Sequence, residues 1–159
     1  MPDDLYNIDF VRWAEQQAER LRRLERGERV NDLDWPNLIE EVESLGKSET
    51  AAVQTLLLRG LEHLLKAVAW PAAPDARKWL HDAGVFLRDA RRRWSPGMSQ
   101  HLDVSDLYLD ALANVRDLEF AEGPPGPLPE ACPFALHDLL PRDRQARLDI
   151  GVLLGRLGA

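Results

Sequence analysis

The stretch DWPNLIEEVESLGKSE, residues 34–49, sets Leu38, Ile39, Val42 and Gly46 three, four, seven and eleven residues after Trp35, and scatters Glu40, Glu41, Glu43 and Glu49 among and after them. Residues at that spacing share one face of an α-helix. Asp34 is suited to cap its first turn, and Pro36 to sit inside that turn, where the helix leaves amides unbonded anyway. Downstream the stripe continues in phase through Val53, Leu56, Leu57, Gly60 and Leu64 to about Trp70. The periodicity therefore predicts one unbroken helix of ~54 Å at 1.5 Å per residue. Gly46 falls on the buried stripe and reads as a close-packing position rather than a terminator.

Working outward, Phe10, Trp13, Ala14, Ala18, Leu21 and Leu24 recur at helical spacing, with Asn7 as N-cap and Gly27 as stop. After the proline-punctuated turn WPAAPD, residues 70–75, a third helix is marked by Trp79, Ala83, Phe86, Leu87, Ala90 and Trp94, capped by Asp75 and ended by Ser95-Pro96-Gly97. Val104, Leu107, Tyr108, Ala111, Leu112, Val115 and Leu118 mark a fourth, with Asp103 as cap and Gly123 as terminator. GPPGPLPEACP, residues 123–133, reads as a rigid extended connector. A short helix from Pro133 through Leu140 and another from Arg142 to Leu157 follow. No run alternates apolar and polar residues, so the expected class is all-α: an antiparallel up-and-down bundle of four main helices plus one or two short C-terminal helices. Residues 1–141 form the expected bundle domain, and 142–159 a C-terminal helical extension packing on the bundle or on a partner.

Length and composition fit that picture. A chain of 159 residues with 45% hydrophobic and 30% charged residues builds a core without disulfide or metal staples. Its single cysteine, Cys132, excludes an internal disulfide framework and suits a reducing compartment, so a cytoplasmic location is expected. MPDDLYNIDF at the start has neither the basic nor the apolar segment of a signal peptide, and no stretch approaches a membrane span. A net charge of -7 makes nucleic acid an unlikely partner overall.

The opening carboxylates do not converge: Glu40, Glu41 and Glu43 fan over roughly 160° of the helix outside its apolar stripe, which makes them surface residues. Glu49 differs because its phase lies inside the stripe, where a charge needs a partner. In a hairpin turned at residues 71–74 that partner is Arg93, and an ion pair is expected. None of His63, His81, His101 and His137 completes a Glu-x-x-His motif, since Gly60, Lys78, Met98 and Phe134 stand three residues before them. No metal is expected; Glu49, Glu62 and His63 are the nearest approach to a ligand set. No glycine-rich phosphate loop occurs, and no cofactor is expected. Cys132, at the start of a short helix that would lower its thiol pKa somewhat, has no base nearby in sequence and reads as a packing residue. Of two basic runs, residues 20–29 set Arg20 and Arg23 near the level of Glu40 and Glu41, and Arg88–Arg93 is the segment through which phosphate contact would run.

Taken together, DLYNIDFVRWAEQQAERLRR (4–23), LDWPNLIEEVESLGKSE (33–49), LEHLLK (61–66) and LPEACPFALHDLL (128–140) resemble the bacterial family catalogued as domain of unknown function number 29. The resemblance implies a mainly helical up-and-down bundle of cyanobacterial or proteobacterial type, without an assigned activity. It carries Trp35, Leu38, Glu40, Glu41, Glu43, Leu45 and Gly46, then His63, Leu64, Leu65 and Lys66, and later Pro129, Cys132 and Pro133 as recurrent positions. Trp35, the three acids, His63 and Lys66 are therefore the residues to watch. Phe86 and Leu87 stand where the family's third helix tends to carry a Gln-Arg pair, so a polar site built on that pair is not expected here.

These observations favour a non-enzymatic interaction or regulatory module, its partner another protein or a second copy of itself. The alternative is a metal-dependent or acid/base enzyme using the acids of the second helix with His63. A weaker one is nucleic-acid contact through Arg88–Arg93.

Overall fold

In the computed structural model, which describes residues 4–143 and 145–159, the periodicities become helices α1 (Leu5–Ile8), α2 (Phe10–Glu25), α3 (Trp35–Ala69), α4 (Ala76–Arg93), α5 (Val104–Arg116), α6 (Leu136–Leu139) and α7 (Ile150–Arg156). A 3-10 turn at Pro96–His101 joins α4 to α5. The fold is all-α, with no strand among the described residues. Contacts group the chain into two units, Met1–Lys47 and Ser48–Ala159, and α3 contributes residues to both.

In the first unit α2 starts at Phe10, because the Asp9 carboxylate accepts the Arg12 amide at 3.0 Å and its extended backbone cuts off α1 as a separate turn. The expected cap at Asn7 is thus displaced by two residues. Gly27, at φ +83°, supplies the left-handed stop that side-chain-bearing residues rarely adopt. The α2 helix and the start of α3 run antiparallel: Tyr6 reaches Glu41, Trp13 and Gln17 reach Asp34, and Arg20 reaches Asp32. Only Trp13 and Gln17 of α2 are buried. Phe10, Leu21 and Leu24, which the helical spacing places on a core stripe, are exposed.

In the second unit, residue numbers fall along α4 as they rise along α3, the signature of an antiparallel pair: Glu49 meets Arg93, Gly60 meets Leu87, His63 meets Asp82, and Lys66 meets Trp79. The α5 helix returns parallel to α3, with Gln54 donating to the His101 carbonyl and Asn114 to Glu62. The proline-rich connector does more than connect. It is bonded to Ala69 and Trp70 at one end and meets Val104 at the other, while Tyr108 donates to the Pro129 carbonyl at 2.6 Å midway. Its prolines need no amide partners and hold it extended along α5, burying Leu128 and Phe134 in the core.

The C-terminal helices are shorter than the apolar pattern predicts. The α6 helix spans Leu136–Leu139 rather than Pro133–Leu140, and α7 begins at Ile150 rather than Arg142. Between them, Arg91 holds the carbonyls of Asp138, Leu139 and Ala146, and Asp149 caps α7 by accepting the Val152 amide. Leu139, Leu140, Leu153 and Leu157 are buried in the same core as α3 and α4.

The stripe on α3 divides sharply. Val53, Leu57, Gly60 and Leu64 are buried, whereas Trp35, Ile39, Val42 and Gly46, in the same helical phase, are exposed. Gly46 is therefore not a close-packing position: a Cβ there meets nothing within 4 Å. The reason is the length of α4, which runs out at Arg93 opposite Glu49. Gly60 is the close approach instead, since a Cβ on it would lie 2.8 Å from Leu87, itself fully buried. The two glycines should respond oppositely in denaturant unfolding: Gly46→Ala is expected to stabilise by about 0.5–1 kcal/mol through helix propensity. Gly60→Ala is expected to destabilise by about 1–3 kcal/mol through overpacking.

Candidate functional site

The acids of α3 go to different places. Glu41 accepts the Tyr6 hydroxyl at 2.6 Å, a bond that, with partial burial and the negative charge of Glu41, pushes the Tyr6 pKa up to about 12. Glu40 and Glu43 are exposed and have no ion-pair partner among the described residues. The Glu49 carboxylate accepts from Arg93 at 3.1 and 3.4 Å. It is half exposed rather than buried, because the stripe at its level lacks cover on the N-terminal side. Arg20 and Arg23 do not face Glu40 and Glu41: Arg20 pairs with Asp32 at 2.8 Å and Arg23 with Glu28 at 2.9 Å, since the loop after α2 brings its own acids closer.

Asp34 organises the first unit. Its carboxylate accepts from the Asn37 side chain at 2.7 Å and from the Trp13 indole at 2.9 Å, and its own amide donates to the buried Gln17 at 2.9 Å. These bonds, the Asn37 side chain first, hold the Asp34 pKa below the ordinary carboxylate value. A cavity of about 380 Å³ opens beside this network, lined by Trp13, Gln17, Arg20, Asp32 and Asp34 among others. Its arginine and its two aspartates are occupied with one another or with neighbouring side chains. Gln17 and Tyr6 carry no motif that marks them in the sequence, although Gln17 stands one helical turn after Trp13 and so shares its face.

In the second unit, His63 donates from Nδ1 to the Arg59 carbonyl at 2.8 Å, which leaves Nε2 with the lone pair. Nε2 lies 4.0 Å from Asp82, too far for a hydrogen bond, and the ring packs on Phe86 with centroids 5.2 Å apart. Burial lowers the His63 pKa, so the imidazole is neutral at pH 7 and its approach to Asp82 is not an ion pair. Lys66, its pKa also lowered by burial, sits 5.1 Å from the Trp79 ring centroid. Glu62, next to His63 in sequence, turns to Asn114 at 2.7 Å. Glu49 lies ~20 Å along α3 from both. The three residues nearest to a metal-ligand set are thus not brought together, and no group of three or more potential ligands occurs among the described residues. Cys132 precedes α6 by four residues, and its thiol faces the carbonyls of Phe134 and Val104 at 3.4 and 3.8 Å. Burial raises the thiol pKa, correcting the expectation of a lowered one.

What the surface does offer is a row of large apolar side chains on α3. Trp35 is 53%, Ile39 56%, Val42 68% and Leu45 66% exposed. Of the exposed acids, Glu43 lies beside this row, whereas Glu40 lies more than about 90° round the helix from it, with Lys47 between the two in helical phase.

The family model described as "Domain of unknown function DUF29" matches residues 5–144. No curated protein matches the chain. Among solved structures, the chain is similar to an alpha-helical protein of unknown function from Rhodospirillum rubrum ATCC 11170, at 26% identity and a TM-score of 0.68, covering 97% of this chain and 98% of that one. No helix among the described residues is long and apolar enough to cross a membrane.

Two measurements check the polar networks. Asp34→Ala should cost about 1–2 kcal/mol at neutral pH, as loss of an N-cap does. Because the folded-state pKa is depressed, the difference from the parent should shrink as pH falls below the ordinary carboxylate value. For His63, also depressed, stability is fully present above its ordinary value of 6.5 and lost as pH falls below it. His63→Gln should flatten that part of a thermal-melt pH profile, and an unchanged slope between pH 7 and 5 would contradict the assignment.

Proposed function

Because the chain belongs to the DUF29 family, whose description assigns no activity, we propose from its surface that it is a non-enzymatic interaction module. Its docking face is the row Trp35, Ile39, Val42 and Gly46. The occupant is an amphipathic helix of another protein, with lysines or arginines flanking its apolar side. The supporting observation is that this row is exposed, although the same stripe forms the core of the second unit from Val53 onward. Steps of four, three and four residues match the seam at which two helices pack knobs into holes, and Gly46 leaves a hole on that seam. Exposed apolar rows of this kind mark interaction sites.

Charge selects the occupant. A symmetric dimer sets the same patch against itself, which brings the Glu43 carboxylates that border the row in the two copies to the same contact. A helix with basic flanks complements them. A cytoplasmic setting suits the single thiol. The enzymatic alternative lacks support from the acids, which disperse to Tyr6, to Arg93 and to solvent instead of meeting His63.

Fluorescence anisotropy with a labelled leucine-lysine amphipathic helix tests the proposal. Saturable one-to-one binding is expected, lost in Val42→Asp and Ile39→Asp and kept in Glu15→Ala on α2. Both aspartate variants should keep the parent's stability within about 0.5 kcal/mol, as exposed substitutions do. A leucine-glutamate helix binding equally well, or a concentration-dependent dimer abolished by Val42→Asp in sedimentation velocity, would overturn the choice of occupant.

A further inference from the structure

The last turns of α4 place Arg88, Arg91 and Arg92 around the rim of a cavity of about 630 Å³, whose other side is formed by Ala146, Arg147 and Leu148. A basic last turn has a structural reason by itself, since cations complement the negative end of a helix dipole. That reason does not extend to Arg147, which comes from a separate segment and meets the α4 arginines across the cavity.

Among the arginines of this unit, Arg93 is answered by the carboxylate of Glu49, Arg116 by Glu130 and Arg156 by Asp138, whereas Arg59 and Arg77 stand apart from other arginines on their helices. Arg92 is answered by Asp89 at 3.1 Å. Arg91 is held at 2.8, 3.0 and 3.3 Å by the carbonyls of Leu139, Ala146 and Asp138. These groups take up three of its N–H donors without neutralising its charge, and fix it in place. Arg88 and Arg147 are exposed and have no carboxylate partner among the described residues. One immobilised arginine and two without a carboxylate partner therefore line a single cavity, in a chain whose net charge is -7.

We propose that this cavity is a binding site for a compact diphosphate group, with Arg88 and Arg147 donating to its oxygens and Arg91 supplying a fixed positive charge beside them. Guanidinium forks suit phosphate because each presents two parallel N–H donors to two oxygens. Two available forks on opposite sides fit a group with at least two phosphates better than a single one. Concavity and the acidic remainder of the surface favour a small ligand over an extended nucleic acid, which draws its affinity from many dispersed basic contacts.

Isothermal titration calorimetry of the full chain with inorganic pyrophosphate, in near-physiological salt, tests this. Saturable one-to-one binding is expected, weakened about tenfold or more by Arg88→Glu or Arg147→Glu, in line with the loss of a charged hydrogen bond. Arg77→Glu, the same charge change elsewhere on α4, should shift it less than about twofold. Arg88→Lys keeps the charge but not the fork and should fall between, and thermal melting verifies that each variant is folded. Adenosine diphosphate binding more tightly than pyrophosphate identifies a nucleotide-borne group, and equal binding identifies the diphosphate alone; both support the site. Absence of saturable binding, equal loss in Arg77→Glu, or affinity for a single-stranded oligonucleotide that grows with its length would overturn it.

Discussion

Leu87 lies so close to Gly60 that the second unit has room for hydrogen there and for nothing larger. That contact sets the register of α3 against α4. With it in place, His63 comes level with Asp82, Lys66 with Trp79, and Glu49 with the final turn of α4. Because α4 ends there, the register also decides where the cover on the α3 stripe stops and where the arginines of the last turns emerge. The buried core, the exposed apolar row and the basic cavity are consequences of one helix pair and of the unequal lengths of its members.

Several of the polar side chains in this protein are engaged in holding backbone. Arg91 spends its donors on three carbonyls of the C-terminal segment, Tyr108 on the carbonyl of Pro129, and Asp34 its carboxylate on capping α3 while holding Trp13. Such groups answer a general requirement, since buried donors and acceptors without partners are costly. The requirement is sharper than usual because an eleven-residue proline-rich stretch and a largely irregular C-terminal segment form part of the wall of the core, and both need side chains to fasten them.

The long helix, the turn at residues 71–74, the caps at Asp34 and Asp103 and the stop at Gly27 were legible because each rests on local chemistry. A cap needs one carboxylate near one amide, and a helix stop needs one residue able to take positive φ. The pairing of Glu49 with Arg93 was also legible, since a hairpin about a known turn fixes which residues lie level. What local chemistry did not disclose was the packing role of Leu128 in the connector and of Phe134 just after it, the buried Gln17, and the anchoring by Arg91. Each of these depends on a partner 17 or more residues away along an irregular path.

The sequence by itself determined which residues share a face, because helical phase is a property of spacing alone. On that basis Trp35, Ile39, Val42, Gly46, Val53, Leu57, Gly60 and Leu64 form one continuous row. Only the tertiary structure decided that the row is core in its second half and surface in its first. Burial is set by what another segment covers, and the segment that does the covering ends at Arg93.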